Sequence, residues 1–182
     1  MLMAPRAAMR RPQRGFSMIE ILISLVITAF GLLGLAGFAS KATALSLDAT
    51  QRARAAAFLA DMSARIANDK TNAADYVDGV VHGAAVLDCS ALAGEAARDL
   101  CEWNNLLAGS NDAAAGNNAA ALGFRGCVTR PNPADPVFVI TVAWGSMSAG
   151  VPPADACAQN VFGDDSQRRV IRSQVRVANL IL

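Results

Sequence analysis

The sequence predicts an α+β fold in which a long amino-terminal helix is followed by a carboxy-terminal antiparallel sheet. Three observations support this prediction: an uncharged apolar run over residues 21–39, an amphipathic pattern that continues to about residue 70, and β-branched apolar segments after residue 124. One long helix, then a loop, then strands is the order expected for a helix packed on an antiparallel sheet. The 182 residues allow one modest domain with an appendage, or one medium domain.

The amino-terminal segment has the composition of a membrane-targeting signal. The apolar run over residues 21–39 approaches the roughly 20 residues that a membrane-spanning helix needs. A cleavable secretory signal has a shorter apolar core that is followed by a cleavage site of small residues. The following SKATALSL offers no obvious cleavage site of this kind, so we expect the helix to be retained. The first 15 residues contain four arginines and no acidic residue, which predicts a cytoplasmic amino end and an exported remainder: Arg6, Arg10, Arg11 and Arg14.

Two features of the apolar block need explanation. Glu20, four residues after Phe16, lies inside an apolar block that begins before the uncharged run, and a carboxylate at membrane depth costs about 2.5–3.5 kcal/mol on insertion scales, so an acid there suggests a partner. The alternative is a simple anchor with Glu20 near the interface, where the cost is lower. Gly31, Gly34 and Gly37 recur every three residues. Close packing against another helix and the ordinary frequency of glycine in transmembrane helices are two alternative explanations for this spacing.

The helix is predicted to continue beyond the apolar run, from Phe16 to about Lys70. Leu59, Met62 and Ile66 form an apolar stripe with Phe58 beside it. The charged residues occupy other positions: Arg52, Arg54, Asp61 and Arg65.

The segment Arg14-Gly15-Phe16-Ser17-Met18-Ile19-Glu20, followed by the uncharged run, resembles the class III signal of type IV prepilins. This resemblance implies that a prepilin peptidase cleaves between Gly15 and Phe16 and that the new amino terminus at Phe16 is N-methylated. It also implies that Glu20 pairs with the terminal amine of a neighbouring subunit during assembly. The expected organisation is a leader over residues 1–15, a transmembrane and assembly helix over 16–40, its amphipathic continuation over 41–72 and a periplasmic globular domain over 73–182.

The second half of the chain contains a long connecting region and then strands. Residues 77–124 are rich in turn formers, with one short helix predicted around residues 91–107. Strands are predicted over 125–130 and over 137–144, the latter apolar on both faces and therefore central between two layers. Residues 169–177 alternate, which predicts a half-buried antiparallel strand with a solvated basic face.

The four cysteines all lie in this second half. An even number in an exported chain predicts two disulfides, and the nested order favours Cys89–Cys101 and Cys127–Cys157 among three connectivities. Unpaired thiols and a zinc site are the alternatives, although the sequence has no CxxC pair and His82 is its only histidine.

The carboxy-terminal part is similar, more weakly, to PilV-type minor pilins. The features that carry this similarity are Cys127, the strand end Val142-Ala143-Trp144-Gly145, Cys157 and the pair Arg168-Arg169 before the last strand. Gly145-Ser146 replaces the Gln-Gly that is more typical there. Neither resemblance extends over residues 75–124.

No catalytic constellation, cofactor site or metal site is predicted. His82 is interpreted as a strand or loop residue and Asp164-Asp165 as a turn or cap. The last group of arginines fits either an anionic ligand or a solvated strand face, and the latter is favoured because no aromatic residues are interleaved: Arg168, Arg169, Arg172 and Arg176.

The sequence therefore predicts a non-enzymatic minor pilin of a type IV pilus. Its expected partners are other minor pilins, the major pilin, the prepilin peptidase, the inner membrane and the pilus assembly platform, and nucleic acid is not expected. A minor pseudopilin of a type II secretion system is the alternative. A membrane-anchored periplasmic enzyme and a DNA-binding competence pilin are more remote.

Overall fold

A computed structural model describes residues 15–110 and 123–178 of the chain. The chain divides into an amino-terminal unit, Met1–Ser46, and a carboxy-terminal unit, Leu47–Leu182. The α+β class is confirmed. The elements are helix α1 (Met18–Asn68), a 3-10 turn (Ala73–Tyr76), helix α2 (Glu95–Leu107), strands β1 (Arg125–Thr129) and β2 (Val137–Gly145), a second 3-10 turn (Asp165–Gln167) and strand β3 (Arg168–Arg176).

In the amino-terminal unit, α1 is apolar on all sides. Three of its hydroxyl groups bond to the helix backbone: Ser24 donates to the carbonyl of Ile21, Thr28 to that of Ser24 and Thr43 to that of Ala39. A polar side chain bonded to its own helix backbone is tolerated in an apolar surrounding that offers no other partner. By length and composition, α1 is able to cross a membrane.

In the carboxy-terminal unit, the last turns of α1 bury one stripe. Leu59, Met62 and Ile66 are buried, as predicted, together with Ala55 one turn earlier, and Phe58 packs beside them. This stripe belongs to a single hydrophobic core, which also includes residues of the first 3-10 turn, of α2 and of β2: Tyr76, Trp103, Leu107, Phe138, Ile140 and Val142. The core explains why α1 remains helical here, since packing of an apolar face supplies most helix stability in proteins.

The three strands form one antiparallel sheet in the order β1-β2-β3. The central strand β2 is buried from Phe138 to Trp144, which confirms the predicted strand between two layers. In β3 the side chains of Ile171 and Val175 pack against the main core, whereas the polar side chains on its other face are exposed: Arg172, Gln174 and Arg176. The predicted alternation of β3 is confirmed.

The face of the sheet opposite the helices is covered by the segment over residues 146–167. Cys127, Ala143, Cys157 and Ala158 form a small buried cluster there, with Val170 of β3 packed against it. The disulfide Cys127–Cys157 ties this segment to β1.

The prediction for Arg168 was wrong. It was grouped with the solvated arginines, yet it is only 1% exposed and donates five hydrogen bonds. Two go to the carboxylate of Asp165 and three to the carbonyl oxygens of Pro153, Asp155 and Cys157. The hydrogen bond from Arg168 also lowers the pKa of Asp165. These three carbonyls belong to the loop over residues 153–157, which precedes Arg168 by 11 to 15 residues. They make the burial of the guanidinium favourable.

The second helix begins later than predicted. Residues 91–94 were expected to be helical, but α2 starts at Glu95, because Gly94 has φ of 93° and lies in the left-handed region. The turn at Asp164 agrees with its prediction, since its carboxylate accepts a hydrogen bond from the Ser166 amide.

Replacing Arg168 with methionine tests its burial. Arg168→Met leaves three carbonyls without donors and Asp165 without its cation. We expect a loss of roughly 3 kcal/mol of unfolding free energy, at the low end for a broken buried pair because Asp165 keeps 19% exposure. Urea unfolding of the full chain in detergent, followed by tryptophan fluorescence, measures the loss. The control Arg172→Met removes an exposed arginine from the same strand, and equal midpoints for the two variants would contradict the prediction.

Candidate functional site

The predicted processing point lies immediately before the first turn of α1. Gly15, Phe16 and Ser17 precede the helix, and the Ser17 carbonyl accepts from the amides of Glu20 and Ile21 at 3.0 and 3.3 Å. The bond between Gly15 and Phe16 is therefore outside the helical hydrogen-bond ladder. Phe16 is 79% exposed. A peptide bond in this position is accessible to a protease without prior unwinding of a helix.

Glu20 lies in the first turn of α1. A carboxylate is favoured there, because the first amides of a helix are unpaired and the helix dipole is positive at this end. Among residues 15–110 and 123–178, Glu20 makes no salt bridge. The described part of the chain thus leaves the carboxylate available to a cation from elsewhere.

The apolar surface around Glu20 is uncovered. The large side chains of this part of α1 are about half to four-fifths exposed, for example Phe30 at 71% and Phe38 at 72%. A methyl group added at Gly31, Gly34 or Gly37 would meet no atom within 4 Å apart from the adjoining backbone of its own helix. Within the described residues nothing shields this surface, so lipid or another protein must do so for the apolar area to leave water.

The comparisons with known proteins concern this same segment. Residues 10–36 match the family model described as the prokaryotic N-terminal methylation motif. The chain carries this motif. The match includes Gly15, Phe16 and Glu20, and it supports a type IV pilin-like protein of a pilus or a pseudopilus. Searches of curated proteins and of solved structures found no significant match.

The cysteines form a second group of predicted residues, and all four are paired. The disulfides are Cys89–Cys101 and Cys127–Cys157, the pairing that the nested order favours. The first joins the connecting segment to α2, and the second joins β1 to the segment that covers the sheet. A disulfide that closes a loop of this size stabilises a fold by roughly 3 kcal/mol in the chain-entropy account.

The remaining polar candidates have structural roles. His82 is buried, and its backbone pairs in both directions with Gly126. It forms an isolated β-bridge, which agrees with its interpretation as a strand or loop residue. The terminal arginines do not form one surface, because Arg169 donates to the carbonyls of Ser166 and Ser148. Over the described ranges, no group of three or more histidine, cysteine, aspartate or glutamate side chains is arranged to hold a metal.

Two asparagines in α2 have a role that the sequence analysis missed. Asn104 accepts from the Gly83 amide and donates to the Ala85 carbonyl, both at 2.7 Å. Asn105 makes the same paired contact with the amide and carbonyl of Leu87, both at 2.8 Å. The two side-chain amides thereby hold a connecting segment that lacks regular structure. The available signal was an Asn-Asn pair in a helix, where asparagine is a poor helix former.

Removal of one of these amides tests whether they fix the segment. In Asn104→Ala the buried Gly83 amide loses its acceptor, which costs roughly 1–3 kcal/mol. We expect hydrogen exchange at Gly83 to accelerate by about tenfold or more, while the sheet amides change little. Native-state exchange of the full chain in detergent provides the measurement. Asn68→Ala, at the exposed end of α1, is the matched control. Unchanged exchange around Gly83 would show that the asparagine is dispensable.

Proposed function

We propose that this chain is a minor pilin of the PilV type that assembles into, or primes, a type IV pilus. The observation that carries this proposal is the N-terminal methylation motif at the start of an uncovered apolar helix. The α+β carboxy-terminal unit, with its two disulfides, accords with an exported subunit, because disulfides persist in oxidising compartments. The proposed role is in pilus biogenesis and hence in twitching motility or adhesion.

The proposed mechanism is assembly through the amino-terminal helix. Before assembly, residues 16–40 span the inner membrane with the amino end cytoplasmic and the rest of the chain periplasmic. The prepilin peptidase removes residues 1–15, and the amine of Phe16 is methylated. The assembly platform then moves the helix from lipid into the helical core of the filament. Both environments are apolar, so the transfer exposes little apolar surface to water.

Glu20 gives this transfer its specificity in the proposed mechanism. An isolated carboxylate in an apolar environment is costly, and pairing it with the terminal amine of a neighbouring subunit offsets that cost. A subunit docked in the wrong axial register would leave both charges unpaired. The pair therefore selects the register in which the Glu20 carboxylate meets a neighbouring amine.

The carboxy-terminal unit is proposed to contact other minor pilins and the major pilin through the surface over residues 75–167. In this arrangement residues 41–72 continue the assembly helix and residues 73–182 form the periplasmic domain. A minor pseudopilin of a type II secretion system is the second candidate, because the same motif occurs in pseudopilins. The genes that neighbour this one discriminate between the two systems.

The processing step is tested by intact mass. Co-expression with a prepilin peptidase is expected to remove residues 1–15 and add one methyl group, because the bond after Gly15 is exposed and outside the helix. Mass spectrometry of the purified chain with and without the peptidase reports both changes. A Gly15→Leu variant serves as the uncleaved control. A chain that stays intact with active peptidase, or is cut after residue 40, would rule out the filament mechanism.

The assembly step is tested at Glu20. Glu20→Ala removes the carboxylate and is expected to abolish incorporation into filaments while cleavage and methylation continue, because the bond at Gly15–Phe16 is unaffected. Immunoblots of sheared pili and of membranes measure the two fractions. The matched control, Glu95→Ala, removes an exposed carboxylate from the first turn of α2. Normal pilus numbers and normal association with other minor pilins in the Glu20→Ala strain would argue against the mechanism.

A further inference from the structure

A groove of about 500 Å³ opens between α2 and the connecting segment over residues 75–92. One wall is formed by Leu100, Ala97 and Cys101 of α2, and the other by Val80, Leu87 and Leu92. We call this site, together with the carboxylates described below, the acidic groove. It belongs wholly to the carboxy-terminal unit.

The outer wall of the acidic groove is apolar and open. Val80 and Leu87 are each 53% exposed, and Leu92 is 38% exposed. Side chains scattered singly over a surface need no explanation, but these three line one concave site. In the described part of the chain, no other segment covers them. The groove therefore has the apolar, concave character of a site that buries a ligand.

The rim of the groove is negatively charged. Asp75, Asp78 and Asp88 line it, and no lysine or arginine does among the described residues. The Asp78 carboxylate lies 3.2 Å from His82 Nε2, and Asp88 accepts a hydrogen bond from the Ser90 amide. That hydrogen bond lowers the pKa of Asp88, so its carboxylate is charged at neutral pH. A ligand in this groove meets carboxylates that lack a compensating cation from α2.

The groove is also preformed. The segment that makes its outer wall has no regular secondary structure between Val77 and Val81, or between Val86 and Asp88. Three sets of contacts nevertheless attach it to the rest of the unit. The amides of Asn104 and Asn105 hold Gly83–Leu87, the His82–Gly126 bridge attaches it to β1, and the Cys89–Cys101 disulfide closes its end. A site that is ordered before binding loses less conformational entropy when it is occupied.

We propose that the acidic groove is a docking site for a segment of another protein in which a lysine or arginine is flanked by apolar residues. The apolar neighbours would bury against the exposed wall of Val80, Leu87 and Leu92. The long methylene stem of the cationic side chain would follow the same surface while its head reaches the rim carboxylates. Shape and charge then specify the same ligand, because an uncharged apolar segment leaves the carboxylates unpaired and an acidic one is repelled.

A protein segment explains these features better than a divalent cation does. A calcium site needs several oxygens that converge on one point, and no such convergence of metal-binding side chains occurs among the residues described. A cation would also leave the apolar wall exposed. The proposal depends on the geometry of the carboxy-terminal unit alone and does not require the minor-pilin assignment.

The test is site-specific photo-crosslinking from within the groove. The full chain carries Leu92→benzoylphenylalanine and is expressed in its own cells, where it meets its natural partners. Irradiation, purification under denaturing conditions and peptide mass spectrometry then locate the attached residue. We expect adducts that map to one segment of another protein, with a lysine or arginine a few residues away between apolar side chains. Adducts to lipid only, to acidic segments or to scattered sequences would overturn the proposal.

Charge variants make the test quantitative. In the same chain, Asp75→Asn with Asp88→Asn is expected to lower the adduct yield roughly tenfold, because the rim loses two of its three carboxylates while the apolar wall remains. Asp135→Asn, in the exposed turn between β1 and β2, is the matched control and should leave the yield unchanged. A crosslinker at Met147, which is 83% exposed outside the groove, reports non-specific encounters. An undiminished yield in the double variant, or the same adducts from Met147, would contradict docking in the groove.

Intact mass separates this proposal from the proposed function. A chain that is not processed at Gly15, but still gives the expected adduct from Leu92, would support docking in the groove and contradict the pilus assignment. A processed chain with no adduct from Leu92 would support the pilus assignment and contradict docking in the groove.

Discussion

The carboxy-terminal unit depends on the burial of one side chain, Trp103. Its indole is fully buried in the core, and its Nε1 donates a hydrogen bond of 3.0 Å to the carbonyl of Phe58 in α1. The opposite edge of its ring lies against Gly126 of β1, where any added Cβ would overlap the ring. One residue of α2 thus contacts α1 and β1 together. The large apolar area of tryptophan, with one polar atom that needs a partner, makes it suited to such a junction.

A network of charges at the edge of the core supports the same contact between α1 and α2. Arg65 of α1 bonds to Asp61 on its own helix and to Asp99 and Glu102 on α2. Burial alone would lower the pKa of Arg65, but these hydrogen bonds raise it above its ordinary value. Tyr76 completes the network, since burial and then its hydrogen bond to Asp99 raise its pKa. The apolar contact around Trp103 and the surrounding charges hold α2 against α1, and that position of α2 forms the inner wall of the acidic groove.

The sequence predicted the elements whose signal is local. Local sequence patterns predicted the burial of the stripe of Leu59, Met62 and Ile66 and of the apolar run of β2. Such patterns depend only on neighbouring residues. The prediction failed for Arg168, three of whose five hydrogen bonds go to loop carbonyls 11–15 residues earlier in the chain, and for the start of α2, which depends on one glycine conformation. The roles of Asn104 and Asn105 were also missed, since their partners lie about 20 residues away in a segment without a pattern. The prepilin-like signal, in contrast to these asparagine contacts, was predictable because it is a short contiguous motif.

Residues 15–110 and 123–178 include two uncovered apolar surfaces that differ in what can cover them. The surface of α1 over its amino-terminal unit extends around the helix and carries one carboxylate at its start, and the hydroxyls of Ser24 and Thr28 are bonded to the helix backbone. Lipid tails or other apolar helices can cover such a surface, because neither needs a particular shape. The acidic groove is local and concave, and its rim carries charge. Lipid tails leave those carboxylates without a cation, and water alone leaves Leu87 and Leu92 exposed, whereas a ligand with both apolar and cationic groups matches the whole groove. The helix therefore favours a class of environments, whereas the groove selects a particular partner.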